Sequence, residues 1–175
     1  MAEAIGFASA IAGLAAFGIQ IVTTLNKFAT TYSQAEQQVN DLSATVALTT
    51  SILESIGKEI KDHEDHLHVT VEQYIAVSDM CKKNFDSLWV ALKVVKKGKD
   101  EKSHAKVELS VWAKMTHALG GADALKDLVL SIETSKSNLQ LLLSSVQFSV
   151  LKSLRKRYGM PSLTSHMPGS PDCRY

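Results

Sequence analysis

Residues 4–26, AIGFASAIAGLAAFGIQIVTTLN, carry no charge; Glu3 stands before the run and Lys27 closes it. About 20 helical residues rising 1.5 Å each span the roughly 30 Å hydrocarbon layer of a bilayer, so the run is long enough to cross one. It is only mildly apolar. Ser9, Gln20, Thr23, Thr24 and Asn26 dilute it, and Gly6, Gly13 and Gly18 lower its helix propensity. Such a helix suits a protein core or a lipid phase, and that double fitness constrains the chain more than any other feature.

The same segment reads poorly as an address. A secretory signal needs cations ahead of its apolar stretch, and Met1, Ala2 and Glu3 supply none. The small-residue step Ala8-Ser9-Ala10 comes too early to be a cleavage site. The polar dilution also counts against a permanent transmembrane anchor.

The rest of the chain follows helical periodicity. After a first helix over residues 2–31, a second is expected over 34–62, with Val39, Leu42, Val46, Ile52, Leu53, Ile56 and Ile60 on one face. The third covers 70–97 with Val71, Ile75, Ser78, Phe85, Leu88, Leu92 and Val95 in phase, and Cys81 fills the gap. A charged stretch, KKGKDEKSHAK at 96–106, has no apolar period and reads as a solvated connection. A short helix over 108–118 carries Val111, Trp112 and Met115, and Gly120-Gly121 ends it. The last helix, 122–157, turns Leu125, Leu128, Val129, Ile132, Leu139, Leu143, Val146, Val150 and Leu154 inward. All three prolines, Pro161, Pro168 and Pro171, lie beyond it. The expected fold is therefore all-α: a four-helix-type bundle over residues 1–157 with one additional short helix, and a disordered polar tail over 158–175.

Composition narrows the function. A net charge of +1 on 175 residues lacks the basic excess of a nucleic-acid binder. Two cysteines, Cys81 and Cys173, suggest no disulfide framework, and no N-glycosylation sequon occurs, which fits an intracellular protein. His63-x-x-His66, within the cluster Asp62, Glu64, Asp65 and His68, has metal-compatible spacing but lacks a fourth ligand, and reads as a polar interhelical loop. His117 reads as a surface residue and Cys81 as a buried structural thiol. No phosphate-binding loop or nucleophile elbow is present. The inner faces are Leu, Ile and Val, which leaves no place for a metal-carboxylate centre, so neither an enzyme nor a cofactor is expected. Gly6, Ala10 and Gly13 form a small-residue ridge suited to close helix approach, in a core or between membrane helices. Lys152, Arg155, Lys156 and Arg157 end the last helix, and Lys93, Lys96, Lys97 and Lys99, extended by Lys102 and Lys106, form a second patch. Both read as solvated charge or as contacts for anionic lipid headgroups, each cation near such a surface adding about 1 kcal/mol.

The opening MAEAIGFASAIAGLAAFGIQIVTTLNKFATTY resembles the start of fungal HeLo-like domains, the N-terminal helical domains of fungal NOD-like receptors and their partner cell-death proteins. Glu3 just inside the terminus, the Ala/Gly-rich helix, the amphipathic helix with Leu42 and Leu53, Trp112 and the final SNLQLLLSSVQ carry the resemblance over residues 1–157. It implies a bundle similar to the executioner domain of mixed-lineage-kinase-like necroptosis proteins and to plant coiled-coil resistance domains. It implies further that the first helix leaves the bundle after oligomerisation, inserts into the plasma membrane and helps form a pore, the protein being cytoplasmic at rest. On that reading Glu3, Ile5, Gly6, Phe7, Ile11, Gly13, Leu14, Phe17, Gly18 and Ile21 are the inserting residues. The partners are anionic lipids, further copies of the chain and an upstream receptor or amyloid-type trigger. Neither a nucleotide-binding domain nor an amyloid motif is visible, and the prolines of the tail oppose cross-β stacking, so the trigger is expected to be missing or to lie in another protein. The alternative is a closed bundle acting as an adaptor or homotypic assembly module, its first helix always in the core.

Overall fold

The computed structural model describes residues 2–31, 37–62, 71–97 and 110–158. They form five helices: α1 (Ala2–Thr31), α2 (Gln37–Asp62), α3 (Val71–Lys97), α4 (Val111–Ala118) and α5 (Ala122–Tyr158). Among the described residues there is no strand. The chain is thus an all-α bundle, as its periodicity requires. The stretches 63–70 and 98–109, with the histidine cluster and Lys99, Lys102 and Lys106, lie outside the described residues, and so does 159–175. Tyr158, assigned to the tail on sequence, is instead the last residue of α5.

α1 packs mainly on α2 and also on α3, while α5 closes the bundle against α2 and α3 on the other side. Going round the bundle the order is α1, α2, α5, α3, so α1 occupies a corner. Phe7 sits edge-on to Tyr74 at 5.4 Å and Phe17 to Phe85 at 6.2 Å, which sets α1 and α3 parallel. The core is aliphatic and fully closed around Ile21, Leu25, Leu53, Ile56, Phe85 and Ile132.

Two expectations for inward faces change. Ile75 is exposed and Tyr74 is buried in its place. The two lie 100° apart on a helix, and only Tyr74 falls a full seven residues before the buried Cys81. In α5, Ser135 occupies the inward step between Ile132 and Leu139 and is fully buried. It is satisfied there: Asn84 Nδ2 donates to Ser135 Oγ at 2.9 Å, Ser131 Oγ donates to Asn84 Oδ1 at 3.0 Å, and Ser135 Oγ donates to the Ser131 carbonyl at 2.9 Å. A buried polar set of this kind is tolerated only when its members are paired, and it pins the register of α3 on α5.

α4 begins at Val111, with Ser110 as its N-cap accepting from the Ala113 amide at 3.1 Å. It ends in a Schellman turn. Gly121 N–H donates to the Thr116 carbonyl at 2.9 Å and Gly120 N–H to that of His117 at 3.2 Å. Gly120 takes φ +90°, a value that any side chain would strain.

Candidate functional site

α1 turns most of its large side chains to one face, with Ile19 half-exposed outside it. Ile11, Leu14, Ile21, Leu25 and Phe28 are buried, and Phe7 and Phe17 are half-buried against the core. The outer face is Gly6, Ala10, Ala12, Gly13 and Ala16, all exposed. Most surface helices keep charge on that face; between Ala4 and Asn26 this one has none. Water tolerates it because small residues expose little apolar area. Only 33% of the apolar window between Gly6 and Thr30, mean hydropathy 1.7, is buried.

The hydroxyls that dilute the run are internally satisfied. Thr23 Oγ1 donates to the Ile19 carbonyl at 2.8 Å and Thr24 Oγ1 to that of Gln20 at 2.9 Å. Hydroxyls bonded within their own helix carry much less desolvation cost into an apolar phase than free ones.

The inserting set proposed from sequence therefore divides. Ile11, Leu14, Gly18 and Ile21 face the core, Gly6 and Gly13 face outward, and Phe7 and Phe17 bridge the two. Glu3 and Ile5 belong to the first turns of α1, where the backbone alone is described. Within the bundle the ridge Gly6, Ala10, Gly13 makes no close helix approach: a Cβ on Gly6 or Gly13 would meet nothing within 4 Å. The close approach is at Gly18, where a Cβ would collide with Thr50 Oγ1 and lie 3.0 Å from Phe85 Cε2. Gly57 of α2, whose Cβ would come 3.4 Å from Ile11 Cγ2, makes a second contact that sequence spacing could not reveal.

The grip on α1 is uneven. Near its middle it is tight at Gly18, and Ser43 Oγ of α2 donates to Asn26 Oδ1 at 2.8 Å. An open groove of about 950 Å³ runs along the outside of the α1–α2 seam, between Ala8, Ala12, Ala16 and Ile19 of α1 and Glu54, Lys58 and Lys61 of α2. On the α3 side, Tyr74 is buried beneath Phe7, and its hydroxyl finds no hydrogen-bond partner among the described residues. Burial pushes the phenol up to about 12, so it stays protonated at neutral pH with its donor unused.

Of the basic residues, Lys152, Arg155, Lys156 and Arg157 are all exposed on the last turns of α5. Lys96 is exposed as well, whereas Lys93 lies over the Trp89 ring at 5.6 Å in a cation–π contact. Among the described residues no three His, Cys, Asp or Glu side chains converge as metal ligands would. His117 is exposed, and the buried Cys81 thiol is pushed up to about 12 by desolvation, far from a reactive thiolate.

Residues 2–159, which include every described helix, match the family "Pigment biosynthesis cluster protein PigL N-terminal". The chain belongs to this family. The match makes the five helices the family's own domain. No curated protein and no solved structure matches the chain.

Proposed function

We propose that this PigL N-terminal family domain is a membrane-acting helical module of the HeLo-like, cell-death type, in which α1 exchanges the bundle for the bilayer. The observation that carries the reading is a corner helix with a charge-free outer face and a large apolar inner face. Withdrawing Ile11, Leu14, Ile21, Leu25 and Phe28 into water would cost about 1.5–3 kcal/mol each, on the order of 10 kcal/mol together. Lipid returns most of that cost, since acyl chains are as apolar as Leu. Release into water is thus forbidden and release into a membrane is close to balanced. The surface bared on α2 and α3, including Leu53 and Phe85, needs a new cover, which favours several copies acting together.

A tether tests this. A Cβ at position 18 would stand 3.2 Å from that of Thr50, within disulfide reach after a small shift. The variant Gly18→Cys/Thr50→Cys, in a Cys173→Ser background, should leak phosphatidylserine-containing vesicles when reduced and spare them when oxidised. Equal leakage in both states would refute release of α1. No leakage in either state, even when copies are clustered through an inducible tag, moves the domain to the second reading, a closed assembly module. The core contacts of α1 support that alternative equally well in the resting state.

A further inference from the structure

The C-terminal half of α5 is an exposed stripe that the bundle does not use. Leu141, Phe148, Leu151 and Tyr158 are 71%, 70%, 61% and 70% exposed. At 100° per residue, Leu141, Phe148, Lys152 and Arg155 point directly away from the core positions Val146 and Val150, with Leu151 and Tyr158 on one flank and Lys156 on the other. Between Glu133 and Asp172 there is no acidic residue, while Lys136, Lys152, Arg155, Lys156 and Arg157 all fall there.

The stripe has a defined place. α3 and α5 are antiparallel: Asn84 bonds Ser135, and Val77 shares a groove with Leu142. Continuing that register sets Tyr74 level with Ser145. Since Phe7 rests on Tyr74, α5 passes the start of α1 near Phe148. α5 has 37 residues against 26 in α2 and 27 in α3, so its last turns run past the described ends of those helices, with Leu154 still packed on the core.

We infer that this stripe is a peripheral docking surface for an anionic bilayer, used by the closed bundle. Aromatic and aliphatic side chains interleaved with cations that can reach up to phosphate are what an interfacial helix presents. A bilayer also fits the charge better than a parallel second copy, which would oppose Lys152, Arg155 and Lys156 to themselves. The inference concerns the protein with α1 in place and does not depend on its release.

The test uses the full chain with the oxidised 18–50 tether and vesicles of phosphatidylcholine with or without phosphatidylserine. Co-sedimentation should require the anionic lipid and fall as salt rises. Arg155→Glu/Lys156→Glu should weaken it at least about tenfold, and Phe148→Ser/Leu151→Ser should also weaken it; exposed sites leave the circular dichroism and melting of these variants unchanged. Binding indifferent to both variants, or a tethered protein that stays in the supernatant, overturns the proposal while leaving the leakage result of the reduced protein to stand or fall alone. Concentration-dependent dimerisation that Phe148→Ser abolishes, with no vesicle binding, would assign the stripe to a second copy instead.

Discussion

Gly13 and Gly18 lie five residues apart on α1 and answer to opposite constraints. Gly13 faces open space, so Gly13→Ala should stabilise the fold by about 0.5–1 kcal/mol through helix propensity. At Gly18 the Thr50 hydroxyl, already donating to the Val46 carbonyl at 2.8 Å, blocks any Cβ. Gly18→Ala should therefore cost about 1–3 kcal/mol, read as a lower urea midpoint. Gly13→Glu separates folding from membrane action. The closed bundle has room for it, but an acidic side chain at mid-bilayer costs about 3 kcal/mol, so melting should hold while vesicle leakage is lost. Tyr74→Phe removes an unmet hydroxyl without changing shape, and should raise stability by about 1 kcal/mol. If the start of α1 is the weak point of the closed state, the same change should slow leakage.

Among the elements, the α3–α5 pair is held by the Asn84, Ser131 and Ser135 network as well as by its apolar seam, whereas α1 meets its neighbours through apolar packing and the partly buried Ser43–Asn26 bond. Amide exchange should accordingly be slowest in α3 and α5 and fastest in the first three turns of α1, beside the open groove. Uniform protection across all four long helices would contradict this ranking. Asn84→Ala removes the acceptor of the half-buried Ser131 hydroxyl and one partner of the buried Ser135 hydroxyl, and should cost about 1–3 kcal/mol. The loss should shrink in a Ser131→Ala/Ser135→Ala background, because no partner remains to be orphaned.

At the scale of the whole molecule, titration is muted because the core holds almost no ionisable groups. Glu133, on the half-exposed flank of α5, is the clearest titrating group among the described residues. Hydrogen bonds from Lys136 and from Thr45 of α2, at 2.7 Å for the latter, hold its carboxyl below the usual range. Its contribution is present at neutral pH and is lost as pH falls through the lowered pKa, so the acid limb of a melting-temperature profile should soften in Glu133→Gln. The buried Cys81 thiol should resist alkylation at neutral pH in the folded chain and react on unfolding, which a Cys173→Ser variant would show by mass. How much of this is legible in residues alone follows from what each signal depends on. Helix spans, the inward rows of α2 and the capacity of α1 for two environments are local: they arise from side-chain period, charge and length, and the sequence states them. Whether Tyr74 or Ile75 turns inward, which glycine meets a neighbour, and that α1 lies between α2 and α3, diagonally across the core from α5, depend on how helices distant in the chain lie against one another. Close packing fixes those choices to within a fraction of an ångström, and no spacing within one helix carries information about the surface it will meet in another.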